Sequence, residues 1–170
     1  MPLSLSPLRL SSGDIAGVVG IYASNPEYGR ISGEYDPARV QAQQVEAELR
    51  EDTGTGGFDV LLARDAEGQV VGLVSILRQH PRDGYPWIGL LMVHGDQRRK
   101  GHGRLLADLV EERLRTEGRN GVRLAVLQNN PTALAFWSSL GWQEIDRRPD
   151  VQHGRSCIVM HKQLGPITSE

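Results

Sequence analysis

One cysteine, Cys157, stands in a chain of 170 residues, so no internal disulfide can form and a reducing compartment is expected. It lies in the apolar run Ser156-Cys157-Ile158-Val159-Met160, where core filling suits it better than nucleophilic work, since no low-pKa environment is visible. The histidines at 80, 94, 102, 153 and 161 show no metal-ligand spacing, and one cysteine cannot build a zinc site, so no metal is expected. No apolar run approaches the ~20 residues of a membrane span. The opening Met1-Pro2-Leu3-Ser4-Leu5-Ser6-Pro7 lacks the basic and apolar regions of a signal peptide. A cytoplasmic protein without a membrane partner is therefore expected. Nor does either charge dominate. The 19 Lys and Arg against 21 Asp and Glu leave a net charge of −2, which offers no overall field to nucleic acid.

What is present is an ordinary globular composition. With 39% hydrophobic and 24% charged residues, the chain reads as one domain over residues 1–170, large enough for a substantial core. Leu8 to Ser11 can form a short first strand, and Asp14 to Ala23 a helix capped by Ser11, Ser12 or Asp14. Asn25 to Glu34 reads as irregular, because Pro26, Gly29 and Gly33 interrupt it. Asp36-Pro37 has the form of a helix start, with the helix running to about Asp52. Phe58–Arg64 and Val70–Leu77 read as a hairpin, and Trp87–Val93 as the next strand. Val122–Leu127, a helix over Pro131–Leu140 capped by Asn130, and closing strands near Trp142–Arg148 and His153–His161 follow. The expected fold is mixed α/β (α+β), with about seven strands and four helices. The tail Gly165–Glu170 is expected to fray.

The most informative stretch is Arg98-Arg99-Lys100-Gly101-His102-Gly103-Arg104. It follows an apolar strand and precedes Leu105, Leu106, Leu109, Val110 and Leu114 at helical spacing. A glycine-containing turn between strand and helix aims the free N–H groups of the first helical turn at one point. The helix start adds roughly half a positive charge there, and cationic side chains add more. Such a point suits a phosphate or diphosphate. A phosphate-binding Walker loop is excluded, because Arg104-Leu105 stands where Lys-Ser/Thr would follow the last glycine. A dinucleotide fingerprint is excluded by Leu106 in place of a third small residue.

Arg98-x-x-Gly101-x-Gly103 resembles the Gln/Arg-x-x-Gly-x-Gly/Ala signature of the GCN5-related N-acetyltransferases (GNAT superfamily). Leu91-Met92-Val93 is similar to the end of that family's fourth strand. The segment from Asn129 to Trp142 resembles its Asn-x-x-Ala-x-x-x-Tyr-x-x-x-Gly-Phe pattern. The resemblance spans about residues 87 to 147 and implies a twisted, mostly antiparallel sheet. It also implies an enzyme that moves an acetyl group from acetyl-CoA directly to a primary amine. Arg98, Arg99, Lys100, Gly101, His102, Gly103 and Arg104 would then hold the diphosphate, and the backbone of Leu91, Met92 and Val93 would pair with the pantetheine arm and supply an oxyanion donor near Met92 or Val93. Asn130 and Trp137 would contact the coenzyme, Asn130 also as a helix cap.

The acid and base positions depart from that family. Trp87 and Gly89 in the fourth strand and Ala125 in the fifth replace the usual carboxylate or histidine. Trp137 replaces the usual tyrosine, and an indole does not give up its proton at ordinary pH. The remaining base candidates are His94, which also reads as a loop histidine, and Glu34, Tyr35 and Asp36, the last also a helix cap; a water relay is the other route. The expected partners are acetyl-CoA and a small amine, or a protein N-terminus or lysine, and a homodimer is admitted. Glu27, Glu34 and Asp36 together favour a cationic small molecule. Two rival expectations are a coenzyme-binding sensor without turnover and a transferase of longer acyl groups.

Overall fold

The computed structural model describes residues 2–150 and 153–165; residues 166–170, most of the tail expected to fray, lie outside them. β1 (Ser4–Pro7) leads into α1 (Ser12–Ala23), α2 (Pro26–Ser32) and α3 (Ala42–Thr53). β2 (Phe58–Arg64), β3 (Val70–Leu77) and β4 (Trp87–Val93) follow, then a 3-10 turn at Gly95–Gln97 and α4 (His102–Thr116). β5 (Gly121–Leu127), α5 (Pro131–Ser139), β6 (Gln143–Pro149) and β7 (Ser156–Gln163) complete the order.

The strands form one sheet in the order β1-β2-β3-β4-β5-β7-β6. Neighbours are antiparallel except β4 and β5, which run parallel and align only at Trp87–Arg123 and Ile88–Leu124. Beyond Ile88 the two strands part. Ser75 pairs with Leu90 and Ile76 with Ile88, so Gly89 is an extra residue in β4, a bulge that bends the strand. Glycine is required there, because a Cβ would come within 2.9 Å of the Phe58 ring. The resulting gap lies at the carboxyl ends of the strands, where open sheets commonly bind ligands.

Helices cover both faces of the sheet. Val18 and Ile21 of α1 and Val45 and Leu49 of α3 pack with Val60, Leu62, Leu73 and Met92. Leu106, Val110 and Leu114 of α4 pack on the opposite face with Leu61, Val74, Ile88 and Val122. Alternate residues of β2 therefore enter different cores, which is why Val60 to Ala63 are apolar without a break. Among the described residues, no helix is long and apolar enough to cross a membrane.

Four sequence expectations are corrected. The first strand lies at Ser4–Pro7 rather than Leu8–Ser11, because Leu10 takes a left-handed φ of 55° and Ser11 caps α1 by accepting from Asp14 N–H at 3.1 Å. Among the described residues there are five α-helices rather than four, since α2 forms where irregular chain was expected. α3 begins at Ala42, not Pro37: Asp36 Oδ1 accepts from Ala38 N–H at 2.9 Å in a local turn, and the chain is extended again at Gln41. Leu105 is exposed rather than facing the core.

Candidate functional site

The turn from His94 to Arg104 is built to present backbone donors. The His94 Nδ1 accepts from Asp96 N–H at 3.2 Å and opens the short 3-10 turn. Arg99 and Gly101 then take left-handed φ values of 63° and 77°, which turn the chain sharply into α4. Among the described residues, none of the N–H groups of residues 99 to 104 has an acceptor, and no side chain caps α4. Of these residues His102 is buried and Gly103 half-buried, where donors seldom remain unpaired, and the others are exposed at a helix start, so this cradle fits a diphosphate. Gly103 keeps the wall low: a Cβ there would sit 3.4 Å from the Phe136 ring and 4.0 Å from Val93 Cγ2.

The cradle opens into a cleft of about 610 Å³ walled by the end of β4, α2, the start of α4 and α5. Arg98, Arg99, Gly101, His102, Gly103 and Arg104 line it, with Leu91, Met92 and Val93 of β4 and Asn130 and Trp137 of α5. Lys100 does not; its ammonium lies 3.3 Å from Gln97 Oε1 on the exposed side. His94 N–H bonds Val71 O on β3 at 2.8 Å, so alternate residues of β4 turn their backbone the other way. Leu91 and Val93 therefore face the gap, whereas Met92 pairs with Leu73. Of the two oxyanion donors expected from sequence, the Val93 N–H is the one turned to the gap. Trp137 is buried at the back of the cleft, edge-on to Phe136 (4.9 Å) and Trp142 (5.2 Å). Asn130 Oδ1 accepts from Ala133 N–H at 3.2 Å, so it caps α5 while lining the cleft.

Sequence reasoning missed the α2 wall. Asn25, Glu27, Tyr28 and Ile31 line the cleft, as do Gln97, Thr132 and Phe136. Asn25 is buried, and its Nδ2 donates to Val93 O at 3.0 Å and to Ile21 O at 2.8 Å. Its Oδ1 accepts from the Arg98 guanidinium. One side chain thus ties α1, the end of β4 and the cradle together. The Asn25-Pro26 pair could have revealed α2, because Asn130-Pro131 starts α5 in the same way.

The base candidates stand apart from the cleft lining. His94 borders a separate depression beside Gly17 and Gly20 of α1. The Tyr35 hydroxyl donates to Asn25 O at 2.7 Å and Tyr22 O at 3.2 Å, and burial, then the nearby Glu34 carboxylate, push its pKa up. It stays protonated. Asp36 is engaged in its turn. Glu34 is paired with Arg155 at 3.1 Å, and its second oxygen is 3.5 Å from the Tyr28 hydroxyl, whose pKa burial raises. Glu27 is the one carboxylate among the described residues that lines the cleft. Among those residues no group of three His, Cys, Asp or Glu could hold a metal.

The acetyltransferase (GNAT) family model matches residues 28–142, more than half of the chain. The L-methionine sulfoximine/L-methionine sulfone acetyltransferase of Pseudomonas aeruginosa is 26% identical over 155 residues, covering 89% of this chain and 88% of that protein. Among solved structures, an acetyltransferase from Thermus thermophilus superposes with a TM-score of 0.77 at 20% identity, over 96% of this chain and 98% of the other. The spermidine N-acetyltransferase from Vibrio cholerae, in complex with CoA and spermine, superposes with a TM-score of 0.74 at 16% identity, over 95% of each chain. These two likenesses concern the fold. The matched family model, with the Pseudomonas relative beside it, means that the chain belongs to the GNAT acetyltransferase family and is an N-acetyltransferase.

Proposed function

We propose that the protein transfers the acetyl group of acetyl-CoA directly to the primary amine of a small acceptor, with both substrates bound together. The observation that carries this reading is the row of acceptor-free N–H groups at residues 99 to 104, opening into the same cleft as Leu91 and Val93. In this reading the row holds the diphosphate, with Arg99 and Arg104 beside it and Arg98 fixed by Asn25. The gap-facing backbone of Leu91 and Val93 pairs with the pantetheine amides as an added strand would. The Val93 N–H stabilises the oxyanion, a role whose loss typically costs ~3 kcal/mol.

The transfer balances simply. The acceptor ammonium loses a proton, the N–C bond forms as the C–S bond breaks, and the second amine proton ends on the coenzyme thiol. An alkylammonium of pKa ~10 is almost wholly protonated at neutral pH, so the first proton needs an acceptor. Glu27 lines the cleft, and Glu34 meets it through Tyr28. Trp137 packs along the arm without acting as an acid. The Pseudomonas relative is named for acceptors derived from L-methionine, which supports a small molecule over a protein.

An amine library with acetyl-CoA, read by release of free thiol, tests this reading, and parallel assays with propionyl- and succinyl-CoA test the donor. Trp137 also favours a second reading, a coenzyme sensor without turnover. Tight acetyl-CoA binding with no transfer to any amine would select it.

A further inference from the structure

A second cavity, of about 420 Å³, opens beside the coenzyme cleft, and Ile31 of α2 lines both. Leu127, Gln128 and Asn129 at the end of β5 and Arg155 and Ser156 at the start of β7 form its other walls. Arg155 is the charged group among them, and its guanidinium is held on two of its three nitrogens. Nε donates to Asp150 Oδ2 at 2.7 Å; Nη1 donates to Ser32 O at 2.9 Å and to Glu34 Oε1 at 3.1 Å. Nη2 has no acceptor among the described residues. A planar fork fixed in this way is ready for one more oxygen ligand, and a carboxylate matches it in charge and geometry.

The surrounding charge narrows the ligand further. Arg155 carries one positive charge against the carboxylates of Asp150 and Glu34, so the group has one surplus negative charge. A simple anion would be repelled by that surplus. A simple amine would leave the Nη2 donors unpaired. A zwitterion meets both conditions: it adds no net charge, offers a carboxylate to Nη2, and its ammonium is attracted by Glu34, which stands behind Arg155 at 3.1 Å from Nη1 rather than in the cavity wall. Glu34 Oε2 lies 3.5 Å from the Tyr28 hydroxyl, and Tyr28 lines the coenzyme cleft, so an ammonium drawn to Glu34 is drawn toward the thioester.

We infer that this cavity is the acceptor site and that the acceptor is a free α-amino acid or a close derivative, its carboxylate on Arg155 and its amine toward the coenzyme. The inference rests on the acetyltransferase reading of the adjoining cleft. Leucine and methionine, each beside its amide and its decarboxylated amine, are the probes, with thiol release as the readout. The amino acids are expected to show kcat/KM at least about 30-fold above the amines lacking a carboxylate, the size of one charge-assisted contact. Arg155→Gln should bring that ratio near one through KM for the amino acids. Its acetyl-CoA affinity by calorimetry should stay within about twofold of wild type. Glu34→Gln should instead lower kcat for every amine and leave the ratio standing.

If Arg155 merely struts Glu34, Arg155→Gln will copy Glu34→Gln, with all substrates falling together, and the inference is overturned. It is equally overturned if the wild type acetylates the decarboxylated amines as well as the amino acids, or accepts none of the amino acids. Failure to bind acetyl-CoA would instead strike at the acetyltransferase reading itself.

Discussion

Two glycines of the cradle are needed for different reasons, and substitution should separate them. Gly101 has a φ of 77° and open space around its Cα, so Gly101→Ala meets only backbone strain, about 1 kcal/mol. Gly103 has an ordinary φ but faces Phe136 and Val93, both in the cleft wall. An added Cβ would only touch these side chains, at 3.4 Å and beyond, but the two methyls of Gly103→Val would reach into the cleft. Calorimetry should find acetyl-CoA affinity at least about tenfold weaker in Gly103→Val, a loss of about 1.4 kcal/mol or more, with the melting temperature little changed. Unchanged affinity in a folded protein would remove the cradle from the coenzyme site. Trp137 is the other informative residue. Trp137→Phe keeps an aromatic ring against Phe136 and Trp142 and should change turnover less than about tenfold, the lower edge of general-acid effects. Trp137→Tyr supplies a titratable hydroxyl and should raise turnover if thiolate release is the slow step. A hundredfold fall in Trp137→Phe, with coenzyme affinity intact, would mean that the indole N–H has a direct role. Residues of this kind were legible in the sequence because a motif fixes their spacing; Asn25 and Tyr28 were not, because their roles come from contacts with segments some 70 residues and more away.

Among elements, those with strong periodicity or a fixed length read cleanly. β2, β3 and β4 fall at their expected boundaries, each bounded by glycine, proline or charged turns. α2 escapes a sequence reading because Pro26, Gly29 and Gly33 all look like breakers. In the structure Pro26 occupies the first turn, where no N–H partner is needed, and Gly33 closes the helix in the left-handed conformation with a φ of 68°. Gly29 sits mid-helix because Tyr35 packs on it: a Cβ would lie 2.8 Å from the ring. The element then docks through its neighbours. Gly95 N–H donates to Ser24 Oγ at 2.9 Å, and a Cβ at Gly95 would lie 2.2 Å from the Ser24 carbonyl oxygen. Gly95→Ala therefore has to push the cradle away from the α1–α2 junction. It should cost about 1–3 kcal/mol, the range for overpacking. At this chain length that is a melting temperature lower by about 3–10 °C. Acetyl-CoA affinity should fall with it, since Asn25, next to Ser24, holds Arg98. A Gly95→Ala protein with wild-type melting and affinity would mean that the cradle does not depend on this junction.

For the whole molecule, the β4–β5 seam is open beyond Ile88, and the cores on the two faces of the sheet both reach the cleft beside it, one through Trp137 and the other through Met92. That seam was invisible in the sequence, because β4 and β5 are both apolar and nothing in their composition tells where pairing stops. The charge distribution follows the same division between local and global. The chain as a whole carries −2, yet Arg98, Arg99, Lys100 and Arg104 stand within one turn and a helix start. At physiological ionic strength the Debye length is about 8 Å, so a polyanionic ligand in the cradle is governed by these near charges rather than by the net charge. Affinity for coenzyme A should therefore fall as salt is raised from about 50 to about 500 mM, despite the acidic balance of the protein. The side chains should not contribute equally. Arg104 and Arg99 line the cleft, whereas Lys100 points out of it and leans on Gln97. Arg104→Ala should weaken coenzyme A binding and flatten its salt dependence, while Lys100→Ala should do so by a smaller factor. Dephospho-coenzyme A, with less charge to screen, should show the shallower slope in the wild type. Salt-independent binding would show that the attraction comes from backbone donors and that the arginines only border the site, whereas an effect of Lys100→Ala exceeding that of Arg104→Ala would make Lys100 the cation that meets the ligand.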